Sequence, residues 1–315
     1  MTLTVTFLGT SGAVPTTERN PSSLFVRREG DAFLFDAGEA TQRQMMRYNT
    51  GFDVSDVFVT HGHGDHVFGL PGLVHTWDFN DREDPLTIHV PRGLGGDIED
   101  LVFSVGGDVG YPVRVSEVSA GEIVLARDDY EVRAFTTAHR TASVGYALVE
   151  HDRKGRFDRE RAEELGVPVG PKFSKLHDGE PVELDDGTVV HPDQVVGDPR
   201  PGRKFVYTGD TRPHDAVVSA AEGADLLVHD ATFANDAAER AAETGHSTAG
   251  EAAEIANRAG VRALALTHVS SRYAGDAREL SEGAAGFAGE EVFVAHDGLE
   301  YDVTFPTDSD DSDEK

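Results

Sequence analysis

The chain of 315 residues contains no cysteine. Disulfides and thiolate-bound zinc are therefore excluded, and any metal must be held by imidazole and carboxylate. No stretch approaches the ~18 to 20 consecutive apolar residues that a membrane span needs. Hydrophobic residues make up only 38% of the sequence, a low share that still fills a core. The opening MTLTVTFLGTSG lacks the basic start of a secretory signal and runs directly into a strand-like pattern, so a soluble cytoplasmic protein is expected. Positive charge is also scarce: 28 Lys and Arg stand against 57 Asp and Glu, a formal net charge of −29. Such a charge repels nucleic acid at long range. Either the partner is not a polyanion, or the acidity is an adaptation to very high salt, where the Debye length shrinks to ~3 Å or less. Few lysines beside many Asp, Glu and Ala favour the second explanation.

What the chain does have is THGHGDH at residues 60–66, which puts three histidines and an aspartate into seven positions. The β-prone run Asp56–Val59 precedes it and an apolar stretch from Val67 follows it. A strand that ends in imidazoles and a carboxylate suits a metal. A polar loop in a histidine-using protein is the plain alternative, and the rest of the chain must decide.

Runs rich in Val, Phe, Leu and Tyr, bounded by Gly, Asp or Pro, predict strands at 4–10, 33–36, 56–60, 86–90, 114–118, 130–138 and 144–150. Later strands are expected at 204–208, 226–230, 263–268 and 291–295. Helical periodicity marks 248–258 and 277–287, with a further helix at 39–48; Ser247 or Thr248 is the expected cap of the first, with Glu251 behind it. Strands lead and helices intervene, which argues for an α/β fold of helix-covered sheets in two similar halves.

One dense motif offers at most four ligands, whereas a two-metal site needs around seven with one shared. The missing ones should lie at strand ends, which converge on one edge of a sheet. His139 ends YEVRAFTTAH, Asp210 follows KFVYTG, and His268 closes ALALTH. Any one alone reads equally well as a structural residue; together with the motif they complete a two-metal set. Histidines 75, 89, 151, 177, 191, 214, 229 and 296 lack this placement and are expected to be structural or exposed.

THGHGDH with a downstream His, a GDT aspartate and a final His resembles the metallo-β-lactamase superfamily. FLGTSGAVPTTERNPSS, FLFDAGEATQRQMM, GPKFSKL, YTGDTRP, HDATF, GHST and THVSSRY, in this order from about Leu3 to Val303, resemble ribonuclease Z. That family comprises endonucleases that remove 3′ trailers from precursor tRNA. The resemblance implies an αββα sandwich of two mixed sheets flanked by helices, spanning residues 1–306, and a homodimer of the short form. It implies two zinc ions per chain, although the ligand types also accept manganese or other divalent metals. His61, His63, His139 and Asp210 would hold one ion; Asp65, His66, His268 and the shared Asp210 would hold the other. Asp65 would also be the catalytic base, and Asp36 would orient a ligand histidine. His246 of GHST would protonate the departing oxygen, with Asp230 fixing its tautomer. Asp230 stands where many relatives have Glu, which leaves that contact in doubt, and Ala37 replaces a cysteine common in relatives.

Between Asp152 and Lys175 the strand pattern breaks, and seven basic side chains face five acidic ones in a chain that is otherwise acidic. The segment resembles the family's inserted flexible arm that clamps tRNA. Arg153, Lys154, Arg156, Gly170, Pro171, Lys172 and Lys175 are its expected RNA contacts, and Arg272 after His268 is another. Residues 307–315, TDSDDSDEK, read as a disordered acidic tail. Two rivals remain at this point: a thioesterase, lactamase or small-phosphodiester hydrolase on the same fold, and a metal-holding RNA-binding module without catalysis.

Overall fold

The structure, a computed structural model, describes residues 2–104 and 106–306. The expected acidic tail at 307–315 lies outside the described residues. The described residues divide into two compact units, one within residues 2–149 and 203–304, the other of residues 150–202 with 305–306.

The larger unit holds two seven-stranded sheets. The first contains β1 (Leu3–Gly9), β2 (Ser23–Arg28), β3 (Asp31–Phe35), β4 (Asp56–Phe58), β5 (Leu86–Pro91) and β6 (Val113–Val118). The second contains β7 (Ile123–Ala126), β8 (Tyr130–Thr136), β9 (Val144–Glu150), β10 (Lys204–Tyr207), β11 (Leu226–Asp230), β12 (Ala263–Thr267) and β13 (Glu291–Val294). The last strand, β14 (Glu300–Asp302), returns to the first sheet and pairs antiparallel with β1. Both sheets are mixed: β3 to β6 run parallel, as do β10 to β13, while β1–β2 and β9–β10 are antiparallel.

Period-2 alternation explains the layering. Phe33 and Phe35 of β3, Phe58 of β4, Leu226 and Val228 of β11, and Ala263 and Ala265 of β12 share one buried cluster between the sheets. The ring of Phe35 stacks on Phe58 at 4.9 Å and meets Phe205 edge-on at 5.4 Å. Residues of opposite parity, Ala32, Leu34 and Val57, pack outward with Met45 of α1 (Thr41–Tyr48), Leu73, Val74 and Trp77 of α3 (Leu70–Phe79), and Ile98 of α4 (Gly95–Phe103). α2 is the short turn Gly64–Val67 within the metal motif. On the other side, Leu227, Leu264 and Leu266 pack against α5 (Asp215–Ala221), α7 (Ala249–Ala259) and α8 (Arg278–Gly283). α6 covers Ala238–Thr244. The result is the expected helix–sheet–sheet–helix sandwich.

Several expected strands run too far at one end. The runs to Thr10, Asp36, Thr60, Ala138 and His268 stop at Gly9, Phe35, Phe58, Thr136 and Thr267. Asp36 and His268 have φ of 59° and 60°, so the chain leaves the extended region where the polar residues begin. The helix expected at 277–287 ends at Gly283. The strands β2, β7 and β14 and the helices α2 to α6 were not anticipated.

The smaller unit has its own apolar cluster of Ala162, Val167, Leu176, Val182, Val190 and Val195. Its helices are Arg159–Glu164, capped by the Asp158 side chain accepting from Arg161 N at 2.8 Å, and Pro171–His177. A two-residue ladder joins Val182–Glu183 to Val189–Val190. The compact unit thus runs well past Lys175, the end expected for the inserted arm.

Candidate metal centre

The parallel strands of each sheet end on one edge, and the loops leaving them carry the site. β4 delivers His61, His63, Asp65 and His66; β8 delivers His139; β10 delivers Asp210; β12 delivers His268. All seven fall into three overlapping groups that also take in Asp230 and His246, and within each group the ligand atoms lie within 4.8 Å of one another.

Asp210 sits in the middle, and its two oxygens point to different partners. Oδ2 lies 3.5 Å from His61 Nε2 and 3.8 Å from His139 Nε2, while His63 Nδ1 is 2.9 Å from His61 Nε2. Oδ1 lies 3.3 Å from His66 Nε2 and 3.2 Å from His268 Nε2, and Asp65 Oδ2 is 3.3 Å from His268 Nε2. One buried carboxylate therefore divides the ligand atoms into two sets.

The far side of four of the five rings, all but His63, is tied down. His66 Nδ1 meets Asp36 Oδ2 at 2.7 Å, and Asp36 also accepts from Thr60 N at 2.7 Å, Thr60 Oγ1 at 2.9 Å and the Tyr207 hydroxyl at 2.9 Å. His61 Nδ1 faces Thr60 Oγ1 at 3.1 Å, His268 Nδ1 faces Thr232 Oγ1 at 2.8 Å, and His139 Nδ1 faces the Gly245 carbonyl at 2.8 Å. Such partners fix tautomer and ring orientation, leaving the opposite nitrogen for a ligand. Asp65 Oδ2 accepts from Ala13 N at 2.8 Å, and Ala13 has φ of 63°.

The electrostatics are those of a cation site. Burial, and then the charge His66 would carry, push His61 well below the usual imidazole range. At His66 burial is outweighed by the charges of Asp210, Asp36 and Asp65, which raise it. At Asp210 burial is overcome by His268, His66 and His61, which drive it well below the carboxylate range. Asp65 is likewise lowered against burial by His66 and by its bond to His268. His66 Nε2 and Asp210 Oδ1 are buried without a hydrogen-bond partner. Orphaned lone-pair donors of this kind, in an imidazole and carboxylate set, fit divalent ions.

His246 stacks on His268 at 5.0 Å and gives Nδ1 to Asp230 Oδ2 at 2.9 Å. Asp230 thus makes the contact that its short side chain had put in doubt. It could itself be counted among metal ligands by proximity. However, Oδ2 also accepts from Thr211 N at 3.0 Å, and Oδ1 accepts from Thr232 N at 2.9 Å and Thr232 Oγ1 at 2.7 Å. Both oxygens are engaged. Burial disfavours the charged imidazole of His246, but the charge and hydrogen bond of Asp230 and the charge of Asp210 raise it to about 9.

Residues 16–268 match the family model of the metallo-beta-lactamase superfamily. The chain is 83% identical over 306 residues to ribonuclease Z of Halobacterium salinarum, covering 97% of this chain and 99% of that one. The chain belongs to the ribonuclease Z family. Ribonuclease Z of Natronomonas pharaonis is 64% identical over the same 97% of this chain and 99% of its own. The structure of human tRNase Z, short form, superposes with a TM-score of 0.69 at 27% identity, covering 96% of this chain and all of that one. As a member of this family the chain is an endoribonuclease, and the thioesterase, lactamase, small-phosphodiester hydrolase and non-catalytic readings are set aside.

The other expected contacts have mixed settings. Arg272 is exposed on the turn Ser271–Tyr273, its guanidinium 5.9 Å from the ring of Phe233, which meets His246 edge-on at 6.3 Å. In the smaller unit Lys154 pairs with Asp178 at 2.7 Å and Lys172 Nζ donates to the Glu183 carbonyl at 2.7 Å. Gly170, at φ 144°, and Pro171 open the helix Pro171–His177, on which Lys175 is exposed. Arg153 lies over Phe305 at 3.5 Å, and Arg156 holds Gly197 N through its carbonyl at 2.9 Å. Across Glu150–Gly202 acidic side chains outnumber basic ones 13 to 8, so the basic excess is confined to the stretch before Asp178. Sequence reasoning missed Thr60, Tyr207, Thr232, Gly245 and Arg140. Among the described residues no helix is long and apolar enough to cross a membrane.

Proposed function

We propose that this protein removes the 3′ trailer from precursor tRNA, leaving a 3′-hydroxyl on the tRNA, and that it does so in the cytoplasm with two zinc ions per chain. The observation that carries the reading is the division of seven ligands into two sets by the oxygens of Asp210. Divalent ions held there would supply Lewis acidity, polarising the phosphodiester and easing loss of a proton from the attacking water near neutral pH. His61, His63 and His139 would hold one ion with Asp210; Asp65, His66 and His268 would hold the other with the same carboxylate. Asp36 keeps His66 aimed inward.

Asp65 takes the proton of the attacking water. Its Oδ2 is already oriented by Ala13 N, so the second oxygen is the freer acceptor. His246, held through Nδ1 by Asp230, gives a proton from Nε2 to the departing 3′ oxygen. Arg272, exposed beside Phe233, meets the phosphate backbone. The smaller unit binds RNA away from the reacting bond through Arg153, Lys154, Arg156, Lys172 and Lys175, with Gly170-Pro171 shaping its second helix. Its surface ion pairs contribute only ~0 to 1 kcal/mol each, so phosphates can displace the acids. The active assembly is a homodimer, a reading supported by apolar side chains left exposed on α1 and at the end of α3, Met46 and Phe79.

The test is incubation with a 3′-extended precursor tRNA in concentrated KCl, followed by mapping of the cut and its ends. The reading expects one cut at the end of the acceptor stem, a 3′-hydroxyl on the tRNA and a 5′-phosphate on the trailer. Random cuts, or a 3′-phosphate on the tRNA, would refute it.

A further inference from the structure

The cavity in front of the ligand cluster has one basic wall. The cavity, about 460 Å³, is lined by Arg140 next to His139, His246 and Thr244. Arg140 is exposed and is the one arginine or lysine lining that cavity among the described residues. Its side chain makes no ion pair or hydrogen bond among the described residues, in a chain with 57 acidic side chains.

Its position is nonetheless fixed. Ala138 N donates to Thr211 Oγ1 at 3.0 Å and Arg212 N donates to the Ala138 carbonyl at 2.9 Å, clasping the loop to the one that carries Asp210. Gly245 presses against the arginine stem: at φ 85°, a Cβ there would come within 2.8 Å of Arg140 Cγ and 3.1 Å of His139 Nδ1. A rooted, unpaired guanidinium at a cavity mouth is a ready anion site.

We propose that Arg140 binds a backbone phosphate of the RNA, the one on the 5′ side of the nucleotide that keeps the 3′-hydroxyl. The His139 side chain is 1% exposed, whereas Arg140 is exposed, so the guanidinium stands outward of the ligands. It reaches the neighbouring phosphate, not the reacting one. Contact with Gly245, next to His246, places it on the side of the departing 3′ oxygen. The assignment of that side rests on the proposed role of His246.

The experiment pairs the protein with precursor tRNAs carrying one neutral methylphosphonate linkage. The neutral linkage stands either at the 5′ neighbour of the scissile bond or at its 3′ neighbour. For wild type, neutralising the 5′ neighbour should raise KM on the order of tenfold, the effect of losing one charge-assisted bond. Arg140→Ala should raise KM similarly on the native precursor, with zinc content unchanged, and lose nothing further on the 5′-neutral substrate. Arg140→Lys should recover part of the loss. Additive losses, an effect at the 3′ neighbour alone, or loss of zinc from Arg140→Ala would overturn the proposal. A wild-type protein that leaves the native precursor uncut would instead refute the tRNA reading on which it stands.

Discussion

In the proposed mechanism Asp65 both holds a metal and accepts a proton, and truncating it removes both functions at once. Asp65→Ala should lower cleavage by at least the ~10² to 10⁴ that removal of a general base costs. A variant keeping more than a tenth of wild-type activity would refute the assignment. Asp36 bonds to Thr60, His66 and Tyr207 at once, so Asp36→Ala should weaken zinc binding by ~10- to 100-fold while the seven ligands stay present. Competition with a chelator measures it, and unchanged affinity would show that Asp36 only packs. His246→Ala should lower kcat on tRNA with little change in KM, and should slow a nitrophenyl phosphodiester much less, because that leaving group needs no proton. Loss of a metal from this variant would make His246 a ligand instead. At this scale the sequence was legible where a residue type announces a job, as with the histidines and aspartates at strand tips. It was silent on Tyr207, Thr232 and the Gly245 carbonyl. Their partners lie 171, 36 and 106 residues away in sequence, and a carbonyl has no side-chain signature. Arg140 was readable beside His139, but only the cavity gave it a meaning.

Elements were legible in kind more often than in extent. The helix expected from Thr248 has its capping box: Thr248 accepts from Glu251 N at 3.2 Å, and Glu251 Oε2 accepts from Thr248 N at 2.8 Å. Thr248→Ala should cost about 0.5 to 2 kcal/mol, visible as a lower Tm. Strand ends were overrun because alternation continues to the metal motif while the backbone has already turned, at Asp36 and His268, into the left-handed region. Strain of that kind gathers at functional sites. Gly209, just before Asp210, has φ of 58°, and a Cβ there would lie 2.6 Å from Thr60 Oγ1. Gly209→Ala should therefore lower Tm by several degrees, since a left-handed residue with a Cβ costs ~1 to 2 kcal/mol before any clash. An unchanged Tm and activity would mean that the loop shifts freely. Helices α3 and α4 escaped the sequence reading because Pro, Gly and acidic residues interrupt their apolar faces.

For the molecule as a whole, −29 charges repel one another unless salt screens them. Tm should rise steeply from ~0.1 M KCl, where the Debye length is ~10 Å, towards molar salt. The smaller unit has its own core and leaves from an antiparallel pair, with Val149 opposite Lys204. A short turn should close β9 onto β10 in its absence. Cutting only Arg153 to Lys175 would split that core, whereas replacing residues 150–202 would not. The larger deletion should raise KM for precursor tRNA much more than it slows a small phosphodiester. The central claim is that one carboxylate, Asp210, joins two metal sites into a single reactive centre. It is tested most directly by stripping the protein with chelator and titrating zinc back, reading bound metal and tRNA cleavage together. Cleavage should be absent without metal and recover completely only as the second equivalent binds. Full activity at one equivalent per chain, or cleavage that survives complete removal of metal, would contradict it.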